Sequence, residues 1–507
     1  MTNLICSVHE TSADETAKAL AGLPLDPRIW VEIRLDGLPS DAIQGARALL
    51  ASSDWPVIAT CRSEAQGGQS TLSEAERLAL LSTLNARYID VEFTPGTAEH
   101  APPENPKVLS YHDFGAIPQN LQSLLAEMER SVGDADVAKI AWACENICEN
   151  IEALELLAAR PGKRILICMG ERGLMSRVLA AKVGAFGTFC AACEGRTVAP
   201  GQLSARAMLN QYRWMSINAK TKFLGVIGSP IAHSLSPAIF NAQFGAHGYD
   251  GVYLPLLITS EDELIRFLDA SREKAWLDAT GFSVTIPHKE SVCRWLGDRA
   301  DHAARRIGAV NTLHLVDGAY RGYNTDYLGI RAALRQGAGF DRATLASKRV
   351  TVLGAGGAAR AAVAVLADAG CDVTVFNRSP ERAESVARDF GCRSKGWEER
   401  IGHASDLIIN CTSVGMWPNV DESPMPASAL RANTVVFDTV YKPKQTTLLR
   451  DAEAAGCRTI CGIEMFIQQA AAQYKIWTGA DADLSLLRQT VESALDRDAQ
   501  DAVDGQR

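Results

Sequence analysis

The stretch RVTVLGAGGAARAAVAVLADAG, residues 349–370, limits what this chain can fold into more than any other segment. Residues 350–353 read as a strand, Gly354-Ala355-Gly356-Gly357-Ala358-Ala359 as a turn, and the Ala-rich run after it as a helix. A GxGxxG pattern alone is weak, but a strand before it and a helix after it predict a dinucleotide-binding unit. Gly354 permits the tight turn, and Gly356 lets the backbone approach a pyrophosphate resting on the helix N-terminus. Ala359 stands where a third glycine is common and still allows close helix–strand packing. The plainer alternative is a glycine-rich turn in an ordinary α/β domain.

The next strand, residues 372–376, leads into Asn377-Arg378-Ser379, with Arg382 close behind. A carboxylate here would accept hydrogen bonds from ribose hydroxyls. Two guanidinium forks suit a 2′-phosphate instead, so the expected cofactor is NADP(H). A solvated surface role is the alternative for these arginines.

At 507 residues the chain is too long for one core and should form two to four domains. With 47% apolar residues, global disorder is not expected, and a net charge of −9 argues against non-specific nucleic-acid binding. A small anion held by a few buried arginines remains compatible. MTNLICSVHE does not read as a signal peptide, and no run of 18 apolar residues suggests a membrane span. Thirteen scattered cysteines, with a single CxxC at Cys190 and Cys193, suggest reduced thiols, a cytoplasmic location and no metal site. Oligomeric state is not legible.

The first part of the chain alternates β-branched runs with helical patterns. Eight strands are expected near residues 4–8, 30–35, 57–61, 88–93, 108–111, 138–142, 164–169 and 186–189. Eight β-α units in this length predict a (β/α)8 barrel. The helix at 73–85 should be N-capped by Ser73. The class is therefore α/β: a barrel over 1–215, a small α/β domain over 221–328 completed by helices in 463–495, a doubly wound, Rossmann-like domain over 329–462, and a polar tail at 496–507 expected to fray.

Within 221–328, the strings GSPIAHSLSPAIFN, GFSVTIPHKE, GAVNT and GYNTDYLG each place small polar or charged residues in a turn. Together Ser234, Ser236, Thr285, Lys289, Asn311 and Asp326 suit a polyhydroxylated ring carrying one carboxylate. At about residues 223–490 the sequence resembles shikimate dehydrogenase. The resemblance implies that Ser234 and Ser236 hold the substrate carboxylate and that Thr285 and Asn311 bind ring hydroxyls. It implies Lys289 as general acid/base, oriented by Asp326. It also assigns Thr412, Ser413 and Tyr441 to the site loops, Gly462 and Met465 to the nicotinamide side, and Gln469 to the substrate. The family often has Asn where this chain has Ser283. Relatives that prefer quinate are the alternative.

In a barrel, chemistry collects at the C-terminal ends of strands. Those positions read Ser7, Glu32 with Arg34, Arg62, Glu92, His112, Lys139 and, further on, Arg177. Three arginines suggest an anionic substrate, while a lysine with a histidine suggests imine chemistry. The carriers EIRLD, CRSEAQGG, SYHDF, DVAKIA, GLMSR and APGQLS resemble type I 3-dehydroquinate dehydratase across about residues 4–210. The resemblance implies that Lys139 forms the Schiff base and His112 moves protons. Glu32, Arg34, Arg62, Arg177, Gln202 and Ser7 would bind substrate. Gln66 departs from the family's Glu, and Val198 from its Ser. As a plainer alternative, Lys139 would pair with Glu92 or Glu32.

The leading expectation is a bifunctional enzyme that dehydrates 3-dehydroquinate and reduces the product to shikimate with NADPH. The competing one is a dehydrogenase carrying a degenerate barrel as a binding module.

Overall fold

The computed structural model describes residues 1–51, 54–95, 106–159 and 162–504. Contacts divide the chain into two compact units, residues 1–224 with 250–279, and residues 225–249 with 280–507.

The first unit is built around eight parallel strands: β1 (Asn3–Val8), β2 (Ile29–Arg34), β3 (Val57–Thr60), β4 (Tyr88–Glu92), β5 (Lys107–Asp113), β6 (Val137–Ala143), β7 (Arg164–Met169) and β8 (Gly187–Ala191). Neighbours follow chain order from β1 to β7, and β8 pairs with β1. The Phe186 N–H donates to Arg164 O at 2.9 Å and brings the start of β8 against β7, so the barrel is nearly closed. The last strand starts one residue later than expected and runs to Ala191.

Strand side chains alternate in direction, so inward residues form layers. Ile5, Trp30, Ile58, Tyr88, Val108, Val137 and Ile165 make an apolar lower layer. Two residues further along, Ser7, Glu32, Thr60, Asp90, Ser110 and Lys139 are also buried but polar. The helix Glu74–Ser82 begins as expected, with Ser73 and Glu76 forming a capping box. This unit also holds β9's first residues (β9, Lys222–Gly228), β10 (Gly251–Leu257) and the helix Glu261–Glu273. Buried Lys182 donates to Asp278, Ala219 O and Thr221 O, each at 2.9 Å.

The second unit contains β11's body (β11, Ala279–Val284), β12 (Thr312–Val316) and β13 (Ala319–Tyr323), with β12 antiparallel to both others. It also contains six parallel strands: β14 (Arg349–Leu353), β15 (Asp372–Asn377), β16 (Arg393–Gly396), β17 (Leu407–Asn410), β18 (Val435–Asp438) and β19 (Arg458–Ile460). Their order, β16–β15–β14–β17–β18–β19, reverses direction of growth at β14. That reversal opens a crevice at the carboxyl ends of β14 and β17, where doubly wound sheets bind ligands.

The helix Ile463–Thr478 is followed by Leu484–Asp504. The second helix takes in most of 496–507, where a frayed tail was expected. Its end, LDRDAQDAVD, has no apolar face to read, but it lacks Gly and Pro within the helix and is composed largely of residues that tolerate or favour helix. Among the described residues, no helix is long and apolar enough to cross a membrane, and no group of three His, Cys, Asp or Glu could hold a metal ion.

Candidate active sites

One cavity at the carboxyl ends of the barrel strands is lined by Ser7, Glu32, Arg34, Arg62, His112, Lys139, Arg177 and Gln202 together. Strand register does this: positions two apart share the inner face, and parallel pairing sets Ser110 beside Lys139 and His112 beside Ala141. Lys139 is 5% exposed, and its Nζ sits 4.2 Å from the centre of the Phe189 ring. Burial pulls its ammonium below the usual range and Arg62 adds to the pull, while Asp90 opposes both. His112 is half-buried at the cavity edge, with Phe114 stacked over it. Burial and the charges of Arg62, Lys139 and Arg34 hold its imidazole well below the ordinary value, so it rests neutral.

The polar wall is tightly paired. Ser7 donates to Glu32 Oε2 at 2.5 Å, Thr60 to Glu32 Oε1 at 2.9 Å, and Gln202 Nε2 to Ser7 at 3.2 Å. The Val198 N–H donates to Gln202 Oε1 at 2.9 Å, so this loop is tied down through its backbone. Arg34 forms a two-pronged pair with Asp36, both contacts at 2.8 Å. Arg177 differs: it is 2% exposed and pairs with no carboxylate among the described residues. Its guanidinium reaches only the carbonyls of Phe189 (3.4 Å) and Pro200 (3.2 Å), and burial pulls it down to about 10. A buried cation without a counter-charge fits an anionic ligand group.

One pairing beside this cavity was not legible in the sequence. The carboxylate beside Lys139 is Asp90, at 3.6 Å, not Glu92 or Glu32. Glu92 lies one layer higher and accepts from Ser63 and Arg77, each at 2.8 Å. Asp90 shares the layer of Glu32 and Lys139, but on β4 the strand ends at Glu92, two residues further on, and that carboxylate draws the eye first. Gln66, in contrast, lies against His112: its Oε1 is 3.0 Å from Nδ1.

In the second unit, Lys289 opens the helix Lys289–Leu296 and Asp326 opens Asp326–Ala338. Lys289 Nζ donates to Asp326 Oδ2 at 2.5 Å, and Asn311 Nδ2 donates to Asp326 Oδ1 at 2.9 Å. The helix cap itself is Thr325, whose N–H donates to Asn311 Oδ1 at 2.8 Å. Thr285 is placed by its N–H donating to Ile227 O at 2.9 Å and by accepting the His288 N–H at its carbonyl. Ser234 accepts from the Ser236 N–H at 3.3 Å. Gln469, 9% exposed, donates to Phe466 O, and Tyr441 stacks on Phe466 with centres 4.4 Å apart. Burial pushes the Tyr441 phenol up to about 12, so it stays protonated.

Gln473 was not anticipated. It lies one turn beyond Gln469 and is 1% exposed. It donates to Thr312 at 2.9 Å and Asn311 O at 3.1 Å, and accepts from Ser283 at 2.8 Å. The QQAAAQ spacing, which puts two glutamines on one helix face, was the available signal. It also explains Ser283: a short hydroxyl fits beneath the glutamine.

The nucleotide loop has the expected form. Gly354 has φ +107°, and a Cβ there would meet Cys411 O at 3.0 Å. Gly356 caps the helix Gly357–Ala369, and a Cβ on it would meet nothing within 4 Å, leaving open space over the helix N-terminus. Arg378 and Arg382 are both exposed just past β15, as a 2′-phosphate site needs; Arg382 pairs with Glu290 at 3.1 Å. Asn377 donates to Ser379 O at 3.0 Å. Thr412 is held by Asn410, which accepts from its N–H (3.0 Å) and hydroxyl (2.7 Å). A side chain at Gly462 would meet Thr439 O at 2.4 Å, and Met465 is 8% exposed. Donors at the helix end, paired guanidiniums beyond β15 and the open space at Gly356 together fit a phosphorylated dinucleotide.

Family models match along the chain: type I 3-dehydroquinase over residues 5–219, the shikimate dehydrogenase substrate-binding domain over 226–313, shikimate/quinate 5-dehydrogenase over 338–425, and the shikimate 5′-dehydrogenase C-terminal domain over 462–492. The bifunctional 3-dehydroquinate dehydratase/shikimate dehydrogenase of Arabidopsis thaliana, described as chloroplastic, is 36% identical over 482 residues. The match covers 90% of this chain and 78% of that protein. Shikimate dehydrogenase (NADP(+)) of Moorella thermoacetica is 39% identical over 301 residues, covering 55% of this chain and 96% of its own. A crystal structure of shikimate dehydrogenase in complex with NADP+ is 37% identical with a TM-score of 0.51, covering 55% of this chain and 97% of that one.

Proposed function

The chain belongs to the family of bifunctional 3-dehydroquinate dehydratase/shikimate dehydrogenases, and we propose that Lys139 with His112 performs its dehydration and Lys289 with Asp326 its reduction. The enzyme is a lyase and an NADP-dependent oxidoreductase of the shikimate pathway. We assign the dehydratase to residues 1–215, the shikimate-binding domain to 221–328 with helices in 463–495, and the NADP domain to 329–462.

In the dehydratase, the neutral Lys139 amine attacks the ketone of 3-dehydroquinate, and the ketone oxygen leaves as water. The iminium acidifies the neighbouring C–H bond. Neutral His112 takes that proton and returns it to the departing hydroxyl, and hydrolysis of the product imine releases 3-dehydroshikimate and Lys139. Arg177 has no counter-charge of its own, so we assign it the substrate carboxylate. Glu32, oriented by Ser7 and Thr60, accepts from ring hydroxyls, and Gln202 closes the cavity.

In the dehydrogenase, NADPH supplies the hydride. Lys289 gives a proton to the oxygen that becomes the shikimate hydroxyl, and Asp326, itself held by Asn311, keeps the ammonium aimed. Ser234 and Ser236 take the carboxylate, and Thr285, Asn311, Tyr441 and Gln469 take hydroxyls. Gly354 to Ala358, Thr412 and Ser413 hold the phosphates and nicotinamide side with Gly462 and Met465. Asn377, Arg378, Ser379 and Arg382 take the 2′-phosphate. We place the enzyme in the cytoplasm, where its free cysteines stay reduced.

The observation that carries this reading is the cavity that gathers the eight residues assigned above to dehydration and substrate binding, Glu92 alone of the strand-end positions standing outside it; a degenerate binding module has no need to keep such a convergence. Borohydride reduction in the presence of 3-dehydroquinate should leave an adduct on the peptide bearing Lys139. No adduct, with intact shikimate oxidation, would restrict the activity to the second half. Comparing oxidation of shikimate and quinate tests the substrate; faster quinate turnover overturns the shikimate assignment.

A further inference from the structure

The barrel holds a buried carboxylate that the reaction as described does not use. Asp90 is 4% exposed, on β4, one layer below the cavity rim. Its Oδ2 lies 2.8 Å from Arg62 Nη2 and 3.6 Å from Lys139 Nζ, so one carboxylate faces two buried cations. Ser110 closes the arrangement: it accepts from Arg62 at 2.7 Å and donates to Asp90 Oδ1 at 2.6 Å. Burial works to push the Asp90 carboxyl up, but Arg62 and Lys139 outweigh it and hold the group ionised.

Other charged groups around Lys139 do not substitute for it. Glu32 on β2 is occupied by Ser7 and Thr60, and Arg34 on the same strand is paired to Asp36. His112 on β5 is neutral, Arg177 on the helix Leu174–Val178 is another cation, and β8 contributes the Phe189 ring. Glu92 on β4 is directed to Ser63 and Arg77. Around Lys139, then, Asp90 exerts the largest attraction and Glu32 a smaller one, while Arg62 and Arg34 oppose them.

We propose that Asp90 is a positioning residue for imine chemistry at Lys139: it supplies the fixed negative charge that keeps the Nζ in place and then stabilises the iminium cation formed there. This rests on the reading that Lys139 forms an imine. Asp90 makes and breaks no bond. The C=N bond forms as water leaves, nitrogen carries the positive charge through proton abstraction, and hydrolysis restores the amine. Because the carboxylate favours a cation at Nζ in every state, it sets the pH at which the free amine becomes available.

The test uses the full-length enzyme, with its dehydrogenase activity and circular dichroism as controls for folding. The rate of borohydride trapping by 3-dehydroquinate is followed against pH for the wild type, Asp90→Asn and Asp90→Glu. With the counter-charge gone, the acid limb of the profile should move down by about one pH unit or more. The dehydratase kcat should fall more than tenfold, and Asp90→Glu should return the limb toward its original position. If Asp90 serves only to hold Arg62, KM rises and the limb stays where it was, which overturns the proposal. If Asp90→Asn alone strands Arg62 and unfolds the barrel, the comparison is repeated in an Arg62→Gln background, where the double variant's limb must lie below that of the single variant; equal limbs overturn it. Absence of any Lys139 adduct in the wild type rejects instead the underlying assignment of Lys139.

Discussion

Gln66 presents its Oε1 to His112 Nδ1 at 3.0 Å, while its Nε2 faces Phe93 O at 3.4 Å. The amide oxygen only accepts, so Nδ1 carries the proton and Nε2 keeps the free lone pair. A glutamine therefore sets the tautomer of the imidazole proposed as the dehydratase base without adding charge. Replacing it by a carboxylate, Gln66→Glu, would favour the imidazolium. The pKa of His112, now held low, would rise, so the acid limb of kcat/KM that needs neutral His112 should move to higher pH by about one unit or more. Dehydratase pH–rate profiles of the two proteins check this.

His112→Ala should separate imine formation from dehydration. The amine of Lys139 does not depend on His112 for its position, so the borohydride adduct still forms. Loss of a general base should lower dehydratase kcat by about 10²–10⁴-fold. Shikimate oxidation, measured in the same preparation, should be unchanged.

In the second half, Lys289 and Asp326 form one unit through their 2.5 Å contact. Lys289→Ala should reduce shikimate oxidation by about 10²–10⁴-fold with little change in shikimate KM. Asp326→Asn should lower kcat as well, because the amide no longer attracts the ammonium. The double variant should be little worse than either single one, and steady-state kinetics of all three test that coupling.

Arg378 is exposed and free to meet a phosphate, whereas Arg382 is already shared with Glu290. Arg378→Ala should raise the KM for NADPH about tenfold or more and leave that for NADH nearly unchanged. Equal KM values for NADPH in the variant and the wild type would remove Arg378 from the cofactor site.

Asp438 is fully buried at the end of β18, accepting from Asn410 Nδ2 (2.9 Å), the Val440 N–H (3.0 Å) and Thr446 (2.7 Å). Burial nevertheless pushes its carboxyl up from 3.8 to about 6. In the window between those values the folded protein keeps a proton that the unfolded chain has lost. The associated stability is therefore present below about pH 4 and is lost as pH rises through about 6. Relative to Asp438→Asn, the wild type should lose on the order of 3 kcal/mol between pH 4 and pH 7. Urea unfolding of both proteins across that range measures the difference.

The sequence by itself determined the architecture and most of the chemistry. Alternating β-branched strands and helices specified a barrel, and the strand–glycine loop–helix unit at 349–370 specified a doubly wound domain, because both depend on local spacing. The positions of Arg378, just past β15, and of Lys289, at the start of a helix, were legible for the same reason: each lies in a turn that a motif marks. The tertiary structure decided which charges meet. Asp90, not Glu92 or Glu32, faces Lys139, because inward positions on neighbouring strands are layered by barrel register rather than by order along the chain. Gln473 beneath Ser283 joins residues 190 positions apart. Such a pair follows from how elements pack, and no local pattern encodes it; the contact of Gln66 with His112 was implied by the family resemblance alone.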